Sequence, residues 1–343
     1  MSSTKYPQTI PSRVHSALTL PRYMAWTGAV LTIAVLPLVF TDAYWRTNLI
    51  VCTLNIALAI GLDFVLGYAG QLNLGQSAFY GLGAYASTLL ITKLGIPFWV
   101  ALIGAIASSC LVGTVLALFA MRLRGHYLAI ASLGFAVITY QILLNWISLT
   151  QGPLGIYAIP PPSALALPGL PAIEFHDLGN LFYLVACFAL LSYFLLDQLI
   201  RSPIGETLIA IREDEISAAS LGVNCGVWKV FAFAVSSGIA GAAGCFYASV
   251  VGTLVPDAFF MTESFTILAM VVVGGTGTLV GPVCGAILLT VLPEFLRGIG
   301  DLRLLVYGVA LTLVVLFMPG GIVHAARLAF WRLQRMAVLG AVR

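Results

Sequence analysis

The stretch SFTILAMVVVGGTGTLVGPVCGAILLTVLPEFL, residues 264–296, decides how the chain is arranged. It is apolar almost throughout, and as one straight helix rising about 1.5 Å per residue it would far exceed the roughly 30 Å of hydrocarbon in a bilayer. Gly274, Gly275, Gly277, Gly281 and Pro282 interrupt it. It is therefore either one long crossing or two short passes joined at Gly274–Leu279, and the positive charges separate the two readings. With two passes the chain has ten spans and both ends on one side. Lys5, Arg13, Arg22, Arg122, Arg124, Arg201, Arg212, Lys229, Arg327, Arg332, Arg335 and Arg343 then share that side, leaving Arg46, Lys93, Arg297 and Arg303 on the other. Lys and Arg collect on the cytoplasmic side of membrane proteins, so ten spans with cytoplasmic termini is the expectation. A re-entrant loop is the remaining alternative, because a half-length pass must be buried in protein to satisfy its backbone.

The rest of the chain supports a lipid-facing, all-α polytopic fold. Of its 343 residues 60% are hydrophobic and only 8% charged, where a soluble domain carries about 25% charged residues. Apolar spans run at about 24–40, 48–66, 77–94, 98–120, 127–148, 180–200, 229–252 and 303–319. The polar segment 1–23 is expected in the cytoplasm, ahead of a retained first span, since no cleavage pattern follows the first apolar stretch. Residues 24–320 form the membrane domain and 321–343 a basic cytoplasmic tail.

Two connections are long. The Pro- and Gly-rich segment 150–179 reads as an irregular extracytoplasmic loop. The segment 201–228 lies on the cytoplasmic side and opens with Ser202–Pro203, a cap followed by a first-turn proline. From there Ile204, Leu208, Ile211, Ile216, Ala219 and Val223 recur at helical spacing beside Glu206, Arg212, Glu213, Asp214 and Glu215. One or two short amphipathic helices follow. Helices that lie on lipid carry a Lys/Arg-rich polar face; the acidic centre here points to a protein partner instead.

Glycine breaks occur in both halves, at Gly61–Gly83 and at Val273–Pro282. Paired interruptions are the best pointer to a solute path in a transporter built from repeats. The path candidates are Gly70, Gln71, Asn73, Gly75, Gln76 and Ser77 in the first break and Gly274, Gly275 and Gly277 in the second. Small residues also serve as helix-packing faces, and Gly281-x-x-x-Gly285, Ser237/Gly241/Cys245 and Gly238/Ala242 read that way. Asp63, near the inner end of its span, is either a coupling carboxylate or a group that is hydrated or paired; the second reading is preferred. Asp197 with Arg201, and Glu294 with Arg297, have the spacing of local pairs.

Several function classes fall away. The arginines form no basic run, so no nucleic-acid face is expected. The six cysteines lack C-x-x-C spacing and most sit in apolar runs, and the four histidines have no metal spacing. Gly81-Leu-Gly83-Ala-Tyr-Ala86 matches a dinucleotide fingerprint in letters but sits inside a span without a preceding strand. No Gly-Lys dipeptide exists, hence no phosphate-binding P-loop, and no catalytic residue, metal or cofactor is expected.

Five stretches carry a resemblance: GYAGQLNLGQSAFYGLGAY from Gly67, RLRGHYLAIASLGF from Arg122, NWISLTQGPLGI from Asn145, RSPIG from Arg201 and AIREDEISAASLG from Ala210. Over residues 45 to 320 the chain resembles the LivM-type permeases of branched-chain amino-acid ABC importers. The resemblance implies a type II importer arrangement of two inverted four-helix repeats, each preceded by one extra span. It implies that Ser202–Gly222 docks in a groove of an ATPase subunit. Arg212, Glu213, Asp214 and Glu215 would pair with charges there, while Ala218 and Ala219 let the helix seat closely. Glu215, Ala218, Ala219 and Gly222 are similar to a weak form of the permease "EAA" pattern. The implied partners are a second, LivH-type permease, two ABC ATPase subunits that bind and hydrolyse ATP, and a periplasmic or extracytoplasmic solute-binding protein, all at a bacterial inner membrane. The chain departs from the family in carrying Asp63 where many relatives have Asn, and Gly-Gln-Leu-Asn-Leu-Gly-Gln where others have a Leu-Asp-Leu-Gly form. A branched-chain amino acid is the expected solute; urea, short amides or other amino acids are the alternative within the family, and an ion-coupled carrier using Asp63 the alternative outside it.

Overall fold

A bilayer interior offers no water to unpaired amide groups, so a chain this apolar must satisfy its backbone within each segment. In the computed structural model the regular elements among the described residues are helices. Those residues are 42–120, 126–164 and 177–299, with Pro37, Phe175, Gly308, Val309, Thr312, Leu316 and 320–325 besides. The N-terminal segment 1–23, the first span at 24–40, Arg122, Arg124, most of 303–319 and the tail beyond Ala325 lie outside them.

Helix α1 (Ala43–Asp63) runs into a π-helical turn, Phe64–Tyr68. Then follow α2 (Gln76–Leu94), α3 (Phe98–Ala120), α4 (His126–Asn145) and the single turn α5 (Ile147–Thr150). After the outer connection come α6 (Leu178–Arg201), the short α7 (Pro203–Glu213) and α8 (Glu215–Ser220), then α9 (Cys225–Val251), α10 (Met261–Gly274) and α11 (Val280–Phe295). The boundaries follow local chemistry. Asp177 caps α6 by accepting the Gly179 N–H at 3.0 Å, Asn224 caps α9 through the Val227 N–H at 3.3 Å, and Gly95 ends α2 at φ +64°.

Seven helical stretches among the described residues are long and apolar enough to cross a membrane: Ala43–Tyr68, Phe98–Phe119, Tyr127–Asn145, Leu178–Arg201, Cys225–Val251, Pro256–Gly274 and Val280–Gly298. The α2 helix has the length but not the apolarity, and its position explains why. From Gln76 to Thr88 nearly every residue is buried against α9, α3 and α10, so it needs protein-facing rather than lipid-facing side chains. The packing is close because glycines face one another: a Cβ on Gly83 would overlap the Gly241 backbone, and one on Gly241 would overlap Ser109. The Ser237/Gly241 and Gly281-x-x-x-Gly285 faces are packing faces, as their spacing suggests.

The stretch 264–296 is a helical hairpin. α10 and α11 run either side of a turn at Gly275–Leu279 and touch backbone to backbone at Gly274–Gly281 and Met270–Gly285. The hairpin packs on α1. Gly275 in turn contacts the backbone of Gly320 and Gly321, so the chain comes back to the turn's end of the bundle after α11. At the opposite end, Ile156 and Leu254 exchange backbone hydrogen bonds of 2.9 and 2.8 Å, tying the outer connection to the α9–α10 link.

One expected local pair forms and one does not. Arg201 donates to Asp197 at 2.8 Å. Glu294 instead accepts from the Tyr44 hydroxyl, and Arg297 lies 4.7 Å above the Tyr44 ring. α11 gives way to a 3₁₀ turn at Leu296–Ile299, and both side chains are taken up by Tyr44, Glu294 by its hydroxyl and Arg297 by its ring.

Candidate functional site

The segment 201–228 is two helices, and Asp214 makes it two. The Ser202 hydroxyl starts α7 by accepting the Ile204 N–H at 3.2 Å, with Pro203 in the first turn. At Asp214 the backbone swings to φ −154° and ψ 105°. Its carboxylate then accepts from the Ile216 and Ser217 amides at 2.9 and 3.2 Å and from the Ser217 hydroxyl at 2.6 Å, closing one helix and capping the next. The Ser217 hydroxyl, then the two amides, hold this carboxyl below its ordinary range.

Of the one or two helices expected, two form, and the break changes which apolar residues are covered. Leu208 and Ile211 are buried as their spacing requires, but the phase restarts at Asp214, so Ala218 turns inward onto Ile211 and Cys225. Ile216 is left 72% exposed and Leu221 85% exposed, with Ala219 exposed between them. Glu213 and Asp214 are exposed beside them. Glu215 bridges to Lys229 of α9 at 2.8 Å, where both side chains are mostly buried. Gly222 takes φ +88° with open space around it.

Arg212 turns back toward the bundle. Its guanidinium donates to the Gly67 carbonyl, in the π turn at the end of α1. Gly70 lies so near that a Cβ there would stand 2.9 Å from the Arg212 Cγ, and a Cβ on Gly277 would stand 3.0 Å from the Arg212 Nη1. Both glycines have positive φ, +68° and +76°, so each supplies a turn and leaves room for this side chain. Asp63 completes the junction: its Oδ1 accepts the Gly277 N–H at 2.9 Å. The residue is fully buried, so it is not the hydrated group considered above; Oδ1 is paired with the Gly277 N–H, while Oδ2 is buried without a partner.

The polar path candidates lie inside the helix packing. Gln76 Oε1 accepts from Asn73 at 3.2 Å and from Ser236 at 3.3 Å. Asn73 Oδ1 accepts the Gly75 N–H at 2.8 Å, and the Ser264 hydroxyl accepts the Ser77 N–H at 2.9 Å and donates to the Ser77 hydroxyl at 2.8 Å. Gln71 Oε1 and Gln76 Nε2 are buried without a partner. Gly274 and Gly275 pack on Gly281 and Gly320. Ser132, Ser236 and Ser264 were missed in the sequence; small hydroxyls in apolar helices were the available signal, and only tertiary packing shows that they meet one break. Among the described residues no three His, Cys, Asp or Glu side chains gather as a metal site.

Exposed apolar side chains line several helices, α3, α4 and α6 among them. A shallow groove on α4 is lined by Val137, Ile138, Gln141, Ile142, Asn145 and Trp146, which sets two neutral amides among apolar side chains.

Comparison with known proteins fits this geometry. The chain is 36% identical over 289 residues to the high-affinity branched-chain amino acid transport system permease protein LivM of Salmonella typhimurium, an alignment covering 79% of this chain and 68% of that one. It is 37% identical over 289 residues to the LivM protein of Escherichia coli K12, with the same coverage. The LivH permease protein of Salmonella typhimurium is 27% identical over 290 residues, covering 77% of this chain and 89% of LivH. No solved structure matches. The family described as branched-chain amino acid transport system, permease component, matches residues 47–318, and the chain belongs to that family.

Proposed function

We propose that the chain is one of two membrane subunits of an ATP-driven, binding-protein-dependent importer of branched-chain amino acids. ATP is bound and hydrolysed by two separate subunits, solute is delivered by an extracytoplasmic binding protein, and the second membrane subunit is a LivH-like permease. The observation that carries the reading is the surface of α8 and its following turn. Ile216, Ala219 and Leu221 stand exposed at one end of the bundle beside Glu213 and Asp214. Apolar side chains this exposed call for a cover, and the acids beside them suit a protein groove better than anionic lipid. With that surface in the cytoplasm, both termini fall there too. The groove on α4 suits the second permease, whose contact would cover its apolar wall and leave Gln141 and Asn145 as neutral donors and acceptors. In the break regions Asp63 Oδ2, Gln71 Oε1 and Gln76 Nε2 are buried side-chain atoms with hydrogen-bonding capacity left for a solute.

The test is uptake by the complete transporter in proteoliposomes. Leucine, isoleucine or valine uptake that requires the binding protein and internal ATP and survives a protonophore supports the reading. Uptake that persists without the ATPases and collapses with a protonophore contradicts it.

A further inference from the structure

The loop that carries the exposed α8 surface is also fastened to both glycine breaks at one point. Arg212 donates to the carbonyl of Gly67 in the first break, while its Nη1 lies against Gly277 of the second. Gly277 is tied back to α1 by the Asp63 Oδ1 at 2.9 Å. A residue in the middle of a surface loop thus touches the end of α1 and the turn between α10 and α11, two elements 145 and 65 positions away in sequence.

Geometry makes this a latch rather than an incidental contact. A helix end leaves its last carbonyls without intrahelical partners, and the π turn Phe64–Tyr68 is such an end, with the Gly67 oxygen turned to the loop. A guanidinium is planar, always charged and presents several N–H groups in a fixed fork, so Arg212 can hold the Gly67 oxygen with its Nη1 beside Gly277. Side chains at Gly70 or Gly277 would displace it. The remaining polar fastenings of the loop go elsewhere: Glu215 to Lys229 on α9, and Ser202 and Asp214 to the loop's own amides. Leu208 of α7 also packs among Phe64, Val65, Tyr68, Ala69 and Leu279, and Arg212 is the loop side chain that hydrogen-bonds to a break.

We propose that Arg212 is a positioning residue that locks the coupling loop to both breaks, so that movement of α7 and α8 is passed to the end of α1 and to the α10–α11 turn as one rigid unit. This rests on the reading of α8 as the ATPase-docking surface. Without the latch the ATPases still dock and hydrolyse ATP, but their motion is lost between the loop and the membrane helices.

The experiment uses the complete transporter, purified by a tag on an ATPase subunit and reconstituted with its binding protein. Spin labels at the exposed Ser220 and Thr276 report the spacing between loop and turn with and without ATP. In the parent that spacing stays constant through the nucleotide cycle. In Arg212→Ala it becomes nucleotide-dependent, ATP hydrolysis persists, and solute moved per ATP falls roughly tenfold or more, the size expected for losing one hydrogen bond from a charged donor. Arg212→Lys, which keeps the charge and a donor but loses the fork, falls in between. A parent spacing that changes with nucleotide overturns the proposal and needs no variant to fold. So does an Arg212→Ala transporter with the parental ratio of solute to ATP, or one that loses its ATPases, which would make Arg212 a docking contact only. The underlying coupling reading fails by a separate sign, namely that Ile216→Cys in the parent forms no cross-link with the ATPases.

Discussion

At the first break, Phe64–Gly75, the chain leaves its helix through a π turn and is held by side chains: Asn73 and Gln76 on each other, Ser236 on Gln76, Ser132 on the Leu74 amide and Ser264 on the Ser77 that follows. At the second, Gly274–Gly281, the helices meet backbone to backbone, and Asp63 supplies a long-range side-chain bond to Gly277. The two breaks look alike in letters, glycine-rich and Thr/Ser/Asn-dotted. What differs is what holds them. Away from Gly67 and Gly70, where an added Cβ would meet Asp63, the Gly277 backbone or Arg212, the first break is held by side chains and should suffer most from the loss of polar atoms, and the second, held by backbone contact, from added volume.

The largest effect should come from adding volume to the second break. A Cβ on Gly274 or Gly281 would overlap a backbone carbonyl, which no rotamer change relieves. Gly274→Ala should cost about 3 kcal/mol or more, at or beyond the top of the usual range for overpacking, and show as loss of monodisperse, folded protein in detergent. The matched change in the first break, Gly75→Ala, places a Cβ 3.0 Å from the Ser132 carbonyl and needs only a small shift; its melting temperature should stay near the parent's. Equal losses for the two variants would erase the comparison.

Next is the loop that both breaks meet. Glu215→Lys sets two lysines face to face where Glu215 and Lys229 now bridge at 2.8 Å. Uptake should be abolished while membrane insertion and expression stay normal. Normal uptake would remove Glu215 from the coupling role.

Removing polar atoms from the first break should be intermediate. Gln76→Leu keeps the volume but leaves Asn73 and Ser236, both buried, without their acceptor. Each unpaired buried group costs about 1–3 kcal/mol, to be read from thermal unfolding. Asp63 links the breaks and gives a smaller, sharper pair of variants. Asp63→Ala removes the acceptor of the Gly277 N–H and should cost about 1–3 kcal/mol, whereas Asp63→Asn retains an oxygen there and should transport normally. Loss of transport in well-folded Asp63→Asn would show that the charge itself acts.

The smallest effect concerns Asp214. Its carboxyl is held below its ordinary range, so the stability it lends α8 is present above the unfolded-state value and is lost only as pH falls through the lowered folded-state value. Hydrogen exchange at the Ile216 and Ser217 amides should therefore stay protected into moderately acid solution and open only below the usual aspartate range.

Much of this was legible in the chain. The hairpin at 264–296 follows from its length and its glycines, the start of α7 from Ser202–Pro203, and the Asp197–Arg201 pair from helical spacing, because each depends on residues a few positions apart. The inward turn of Arg212 was not legible: its partner is 145 residues away, and only the assembled bundle brings Gly67 beneath the loop. The exposure of Ile216 was hidden for a different reason. Periodicity left one or two helices open and did not say where a break would fall; Asp214, an ordinary charged residue in that pattern, acts as a cap and resets the phase. The polar residues at 71–77 read as candidates for solute contact, yet their hydrogen bonds close on one another and on serines from other helices.

The central claim is that the surface around Ile216 and Leu221 is gripped in the cytoplasm by the subunits that hydrolyse ATP. Single cysteines at these two positions, tested in sealed inner-membrane vesicles of known orientation, address it most directly. The account predicts labelling from the cytoplasmic face only, a cross-link to an ATPase subunit from each position, and protection when the ATPases are bound. Labelling from the opposite face, or free labelling at both sites while the ATPases remain attached, would contradict it.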